Sequence, residues 1–207
     1  MPRRFRKRMD YEDIPVFQII VGRGEKHPHG VTGSVTLVIG KNKKILVDAG
    51  DPFNTQEVIN CLDDYDVKPA DIDIVVITHG HVDHCANMHL FKNATIYMDH
   101  DNVVQEKGIP KYESTLFPLT LDTNIEVHCL GGHTKNDLVV VVKSPSATTV
   151  IAGDLIEDSG NDGKKTATNV AKLKKAHAFI YALADSIIPG HGPIFTNFQK
   201  KELRVKK

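Results

Sequence analysis

The residues best suited to chemistry stand together in Thr78–His84 (THGHVDH), where three imidazoles and one carboxylate fall within six positions, 79–84. An apolar run, IDIVVI at 72–77, leads into them and reads as a buried strand. A strand that stops at such a loop presents its imidazoles and its carboxylate from one edge of a sheet. Imidazole nitrogen and carboxylate oxygen are the donors that a borderline ion such as Zn²⁺ takes. A polar turn of surface histidines is the bland alternative, and the rest of the chain argues against it by supplying further donors.

Other strand-like runs end the same way. Lys44 to Val47 ends at Asp48, and Ile125 to Leu130 leads into His133 within GGHT. Thr149 to Ala152 leads into Asp154, and the short run Ser186 to Ile188 leads into His191 within PGHGP. Loops at one sheet edge meet in space although they are far apart in sequence. A shared centre built from 79–84, His133, Asp154 and His191 is therefore expected. His27 and His29 lie in a Gly/His/Pro loop, 22–33, placed to cover such a centre; with His100 they are candidates for touching a substrate. His89, His128 and His177 read as exposed or satisfied by neighbours, and Cys85 as pointing into the core.

The elements that must position these groups follow from periodicity and turn residues. Strands are expected at 14–21, 35–39, 44–47, 72–77 and 95–98, with a hairpin turn at Gly40-Lys41-Asn42. A helix is expected from Asn54 or Thr55 to about Tyr65, with Val58, Ile59 and Leu62 at helical spacing, and a short one at 86–91. The segment 99–123, with Pro110 and Pro118, reads as loop-rich. Strands follow at 125–130, 138–142 and 149–152, then a polar loop at 158–165. An amphipathic helix is expected over about 166–184, with Val170, Leu173, His177 and Ile180 on one face, and a last strand at 186–188. This order fits helices packed outside two sheets, a four-layer αββα sandwich in the α/β class.

A chain of 207 residues suits one compact domain with a real core. The expected organisation is a basic arm at 1–13, one domain at 14–198 and a basic tail at 199–207. Lys plus Arg equals Asp plus Glu, 26 each, so net charge exerts no overall pull toward nucleic acid or membrane. The arm, with five basic residues in its first eight, suits either a solvated tail or attraction to nucleic-acid phosphates. Three cysteines, Cys61, Cys85 and Cys129, are odd in number and lack paired spacing, which argues for a reducing compartment. No apolar run approaches the roughly 20 residues of a membrane span, and the N-terminus lacks the apolar stretch of a secretory signal. The expected location is cytoplasmic, nuclear or both, with no membrane partner.

Taken together, THGHVDH, a lone His, an Asp after an apolar strand and a late Gly-His resemble the metallo-β-lactamase fold superfamily of dinuclear hydrolases. The resemblance runs from Ile14 to Phe195. It implies one metal held by His79, His81 and His133, a second held by Asp83, His84 and His191, and Asp154 bridging both. Two Zn²⁺ per chain are the implied cofactors, and iron or manganese suits the same donors. Asp48 is implied behind the ligands, accepting a hydrogen bond that orients an imidazole and raises its basicity. Asp83 is the candidate catalytic group beyond ligation, able to hold or take a proton of the attacking water. A homodimer is implied as well.

Two divalent ions outweigh the two ligand carboxylates, so an anionic substrate suits the centre. Through VVITHGHVDH, His100-Asp101, TVIAGDLIED and SIIPGHGPIF, the resemblance extends to small endoribonucleases of the superfamily that act in 3′-end processing of histone pre-mRNA. RNA is thus the expected substrate, although the chain has no aromatic-rich stacking motif. A glyoxalase II-like hydrolase of a small thioester shares every ligand. The 16 residues after His191 leave no room for the C-terminal helical domain glyoxalase II uses to bind glutathione. A persulfide dioxygenase with one iron on two His and one Asp, and a non-catalytic ligand-binding relic, complete the alternatives.

Overall fold

The computed structural model describes residues 13–106 and 109–200. The basic arm expected at 1–13, Asp13 apart, and the basic tail beyond Lys200 lie outside the described residues. One sheet contains, in spatial order, β1 (Val16–Ile20), β2 (Val35–Ile39), β3 (Lys44–Val47), β4 (Ile74–Ile77), β5 (Thr95–Met98), β6 (Asp101–Glu106) and β7 (Ile109–Ser114). The second runs β13 (Phe195–Thr196), β12 (Ser186–Pro189), β11 (Thr148–Gly153), β10 (Leu138–Lys143), β9 (Ile125–Cys129) and β8 (Leu119–Asp122). The helices are α1 (Thr55–Asp63), α2 (Val82–Cys85) and α3 (Val170–Leu183).

Three apolar cores define four layers, the αββα sandwich. Alternation along each strand divides its side chains between two of them. Val38, Ile45, Val47 and Ile74 meet Ile125, Val127, Leu138 and Val140 between the sheets. Leu37, Leu46, Val75 and Ile77 point outward to Val58 and Leu62 of α1. Val139, Val141 and Val150 meet Leu173, Ala176 and Ile180 of α3 on the other side. The central strands read as unbroken apolar runs because both faces are covered, and each fully buried Val, Leu or Ile contributes roughly 1.5–3 kcal/mol. Among the described residues no helix is long and apolar enough to cross a membrane.

The structure corrects three elements. Residues 99–123 form β6, β7 and β8 rather than a loop-rich stretch. Pro110 is tolerated because β7 is the edge strand of its sheet, where a missing N–H is harmless. The short helix expected at 86–91 lies at Val82–Cys85, inside the donor loop, followed by one 3₁₀ turn at Met88–Leu90. The long helix starts at Val170, not 166, because the preceding residues are bonded elsewhere. Thr168 N donates to His133 O and Asn169 N to Gly132 O, and the Asn169 side chain then caps Lys172 N at 2.9 Å.

β3, β4 and β5 run parallel, as do β11 and β12, so their C-terminal ends share one edge of the sandwich. Backbone bonds join the two sheets there: Leu138 N donates to Thr78 O at 2.8 Å, and Ser34 N to Gly190 O at 2.8 Å.

Candidate metal centre

β3 leaves its sheet at Asp48, a non-glycine residue held at φ 61° and only 2% exposed. Its Oδ1 accepts Thr78 N–H at 2.7 Å, and its Oδ2 accepts the Thr78 hydroxyl at 2.8 Å and His84 Nδ1–H at 2.8 Å. Having given its one proton to Asp48, Thr78 Oγ1 must accept from His79 Nδ1, 3.1 Å away. A single carboxylate thus fixes two rings, His84 directly and His79 through Thr78. His191 is fixed separately: its Nδ1 donates to the carbonyls of Arg23 and Thr32 at 3.1 and 3.0 Å. In all three rings the tautomer set by these partners leaves the Nε2 lone pair free.

Those lone pairs point at two neighbouring places. At the first, His81 Nδ1 lies 2.9 Å from His79 Nε2 and 3.1 Å from His133 Nε2. Asp154 Oδ2 completes the group at 3.6 Å from His79 Nε2 and 3.4 Å from His133 Nε2. At the second, Asp83 Oδ2 is 3.6 Å from His84 Nε2 and 3.6 Å from His191 Nε2. Asp154 faces this group too, with Oδ1 3.2 Å from His84 Nε2 and Oδ2 3.2 Å from His191 Nε2. Four donors arranged tetrahedrally around zinc at about 2.0–2.1 Å would be about 3.3–3.4 Å apart. The observed separations scatter around that value.

A second observation fits a cation. His84 Nε2 and Asp154 Oδ1 are buried and make no hydrogen bond, although they are 3.2 Å apart. Neither is aimed at the other. Leaving such a group unpaired costs roughly 1–3 kcal/mol, a cost a shared ion removes. His133 Nδ1 is also buried and unpaired, and nothing in the structure explains it.

The electrostatics put His79, His133 and Asp154 in ligand form. Burial above all, helped by His84, His133 and His81, drives the His79 pKa down to about 2, so its imidazole is neutral. Burial likewise lowers His133. Burial pushes Asp154 upward, but the imidazoles of His191, His84 and His79 around it outweigh this and keep the carboxylate ionised. His84 and His191 go the other way: burial opposes the charged ring, but the facing carboxylates, Asp48 and Asp154 for His84 and chiefly Asp154 for His191, raise both pKa values, so a cation entering that group would displace protons.

All seven expected donors and Asp48 therefore come together. The candidate substrate contacts lie outside the two donor groups. His27 and His29 are exposed, their ring centroids 5.5 Å apart, on a loop whose base, the Arg23–Thr32 bridge, touches His191. His100 is exposed at the same edge, 4.0 Å from Cys129 Sγ and beside Phe117. His128 meets Glu126 at 3.2 Å, His177 meets Leu155 O at 2.6 Å, and Cys85 packs against the outer core. Thr78 and the two carbonyls that hold His191 were not found from sequence. The only available signal for Thr78 was a hydroxyl at the last strand position before the ligand loop. Asn87 was also missed: its Nδ2 donates to Ala49 O and Asp51 O at 2.9 and 2.7 Å, tying the loop after β3 to the segment after α2.

A fold with two packed sheets, outer helices and this donor set at their shared edge defines a class. The chain belongs to the metallo-β-lactamase superfamily of metal-dependent hydrolases, whose family model matches residues 30–100. It is similar to the metallo-beta-lactamase domain-containing protein 1 of Xenopus laevis, 34% identical over 79% of this chain and 72% of the relative. The Homo sapiens protein of that name is 33% identical over 87% of this chain and 82% of its own length. Among solved structures, the metallo-beta-lactamase FIM-1 from Pseudomonas aeruginosa, in a mono-zinc form, superposes with a TM-score of 0.61 at 21% identity, covering 95% of this chain and 97% of that one.

Proposed function

We propose that this chain is a two-zinc hydrolase that cleaves RNA phosphodiesters. The observation that carries the reading is the convergence of His79, His81, Asp83, His84, His133, Asp154 and His191 into two adjacent donor groups. Divalent ions held there would supply Lewis-acid stabilisation of developing charge and a lowered pKa for water. The protein groups divide the remaining work. Asp154 is buried and ionised and stands between both groups, so it fixes their spacing. The Asp83 side chain is 22% exposed against 7% for Asp154, so it is the carboxylate open to an arriving water and the one placed to take its proton. Lys135 is exposed on the His133 loop, and the Lys172 stem passes over Gly131. Cations on that flank suit a substrate with phosphates beyond the one cleaved.

The second reading, hydrolysis of a small thioester or ester, has one observation in its favour. Val82, between two donors, is 64% exposed, and Phe53, on the loop after β3, is 96% exposed; both suit an apolar substrate portion. Zinc-loaded protein offered a single-stranded RNA oligonucleotide and S-lactoylglutathione separates the two. RNA cleavage that disappears when His81 and Asp83 are both changed to Ala is the expected result. Thioester turnover with intact RNA would overturn the RNA reading and leave the hydrolase standing. Metal analysis of protein purified without added metal adds the remaining distinction: two zinc per chain is expected, whereas one iron favours the persulfide dioxygenase.

A further inference from the structure

We propose that Gln18 is a positioning residue for the donor His191, and that it sets how tightly the group of Asp83, His84 and His191 holds an ion. The proposal rests on the metal-dependent reading for the ion alone.

β1 reads Val-Phe-Gln-Ile-Ile, and Gln18 is its single polar residue. Phe17 and Ile19 pack into the outer core, and Val16 packs between the sheets. Alternation puts the half-buried Gln18 on the Val16 face, toward the second sheet. The pairing with β2 is irregular between Gln18 and Ile20, as expected where a bulge re-aims a side chain. The amide crosses the seam to the loop after β12, which carries His191. Its Nε2 donates to Gly192 O at 2.7 Å, and its Oε1 accepts Ile194 N–H at 2.9 Å. The second Nε2 proton goes to Ser34 Oγ at 3.0 Å, so both donors and one lone pair of the amide are used.

These bonds bear on His191 from two sides. The segment after β11 holds the chain as far as His191: Gly190 N donates to Gly153 O at 3.0 Å, and His191 N to Glu157 O at 2.7 Å. Past His191, Gln18 holds Gly192 and Ile194. Ser34 makes the other link. Its buried hydroxyl also accepts Gly22 N–H at 3.1 Å, next to the bridge between Arg23 and Thr32. The carbonyls of that bridge are the acceptors of His191 Nδ1–H. One amide therefore keeps the backbone of the His191 loop in register with the acceptors of its ring. The rings of His79 and His84 are oriented from Asp48 instead, by bonds in which Gln18 takes no part. Partners that orient a metal-binding imidazole are typically worth roughly 10–100-fold in affinity.

Gln18→Met keeps the length of the side chain and deletes all three bonds. Zinc titration of the full chain against a chromophoric chelator should then show one class of site at least tenfold weaker and the other within twofold. Proton–nitrogen NMR of the histidine rings supplies a readout that a general loosening of the fold would not move selectively. The His191 Nδ1–H signal is assigned by its loss in His191→Gln. In Gln18→Met this proton should exchange with water at least tenfold faster, while the His84 Nδ1–H on Asp48 keeps its rate. Ser34→Ala removes the hydroxyl between the amide and Gly22, and it should move the His191 signal the same way by less; it makes the same comparison if Gln18→Met does not fold. Equal loss at both classes of site, or a His191 signal that changes no more than the His84 signal, overturns the proposal. A chain that takes up no zinc would count against the hydrolase reading instead, and the ring signals, recorded without metal, would still decide the role of Gln18.

Discussion

At the scale of single residues, the tie between Asp48 and two imidazoles makes a prediction that separates the two donor groups. Thr78→Val keeps the volume but deletes the hydroxyl through which Asp48 orients His79. His84 keeps its own bond to Asp48. Zinc affinity at the His79, His81 and His133 group should therefore fall by roughly 10–100-fold, with the other group little changed. Asp48→Asn should weaken both. A competition titration against a chromophoric chelator, resolved into two classes of site, reads this directly, and equal loss at both sites in the Thr78 variant would refute it. The donors themselves were legible in the sequence because imidazole and carboxylate at strand ends have few other uses. Thr78 was not, because a hydroxyl gains its role only when a carboxylate 30 positions away in the chain folds beneath it.

At the scale of elements, the donors depend on close approach of backbone at the ends of β11 and β12. A Cβ placed on Gly190 would lie 1.9 Å from Asp154 Oδ1, so Gly190→Ala must displace the side chain that faces both groups. The expected result is at least tenfold weaker zinc binding with a stability loss of roughly 1–3 kcal/mol, the usual cost of overpacking, checked by metal titration and urea unfolding. A different contact holds the two sheets together at the turn between β2 and β3. Asp122, at the end of β8, accepts from Asn42 N at 2.7 Å, Asn42 Nδ2 at 2.9 Å and Lys43 N at 3.0 Å. Burial pushes its pKa up, but these bonds and one from Thr123 outweigh it and hold the value below the ordinary carboxylate range. A depressed folded pKa means stability present above the unfolded pKa and lost as pH falls through the folded one. Asp122→Asn should therefore cost roughly 1–3 kcal/mol near neutral pH, and the gap from the parent should close in acid. A gap of constant size from neutral pH to pH 3 in urea titrations would contradict this. The central strands were readable because burial on both faces leaves unbroken apolar runs, but periodicity alone did not fix the layering, since an apolar run does not say which sheet its strand joins. Residues 99–123 were not: β7 is exposed along its whole length, so no apolar pattern marks it, and its proline looks like a breaker until the strand is known to be an edge.

At the scale of the whole molecule, the centre is a fault line as well as a functional site. It lies where loops from both sheets meet, and its five imidazoles and two carboxylates crowd their donor atoms into two groups within 4.8 Å. Without a cation, lone pairs converge on one another, and Asp154 and His84 keep buried groups unpaired. Metal binding should therefore act as a clamp on the sandwich. An ion at a free concentration 100 times its Kd adds about 2.7 kcal/mol to folding stability, and each kcal/mol raises Tm by about 2–4 °C for a chain of this size. Chelation should lower Tm by at least about 5 °C, and zinc should restore it. In the variant with His81 and Asp83 both changed to Ala, the response should shrink because both groups have lost a donor. Differential scanning calorimetry with and without chelator makes the comparison. A parent protein whose Tm ignores the chelator, after metal analysis has shown the ions removed, would mean that the donor loops are held by the sheets alone. The hydrogen bonds across the seam, Leu138 N to Thr78 O and Ser34 N to Gly190 O, would then be sufficient to keep the sandwich closed.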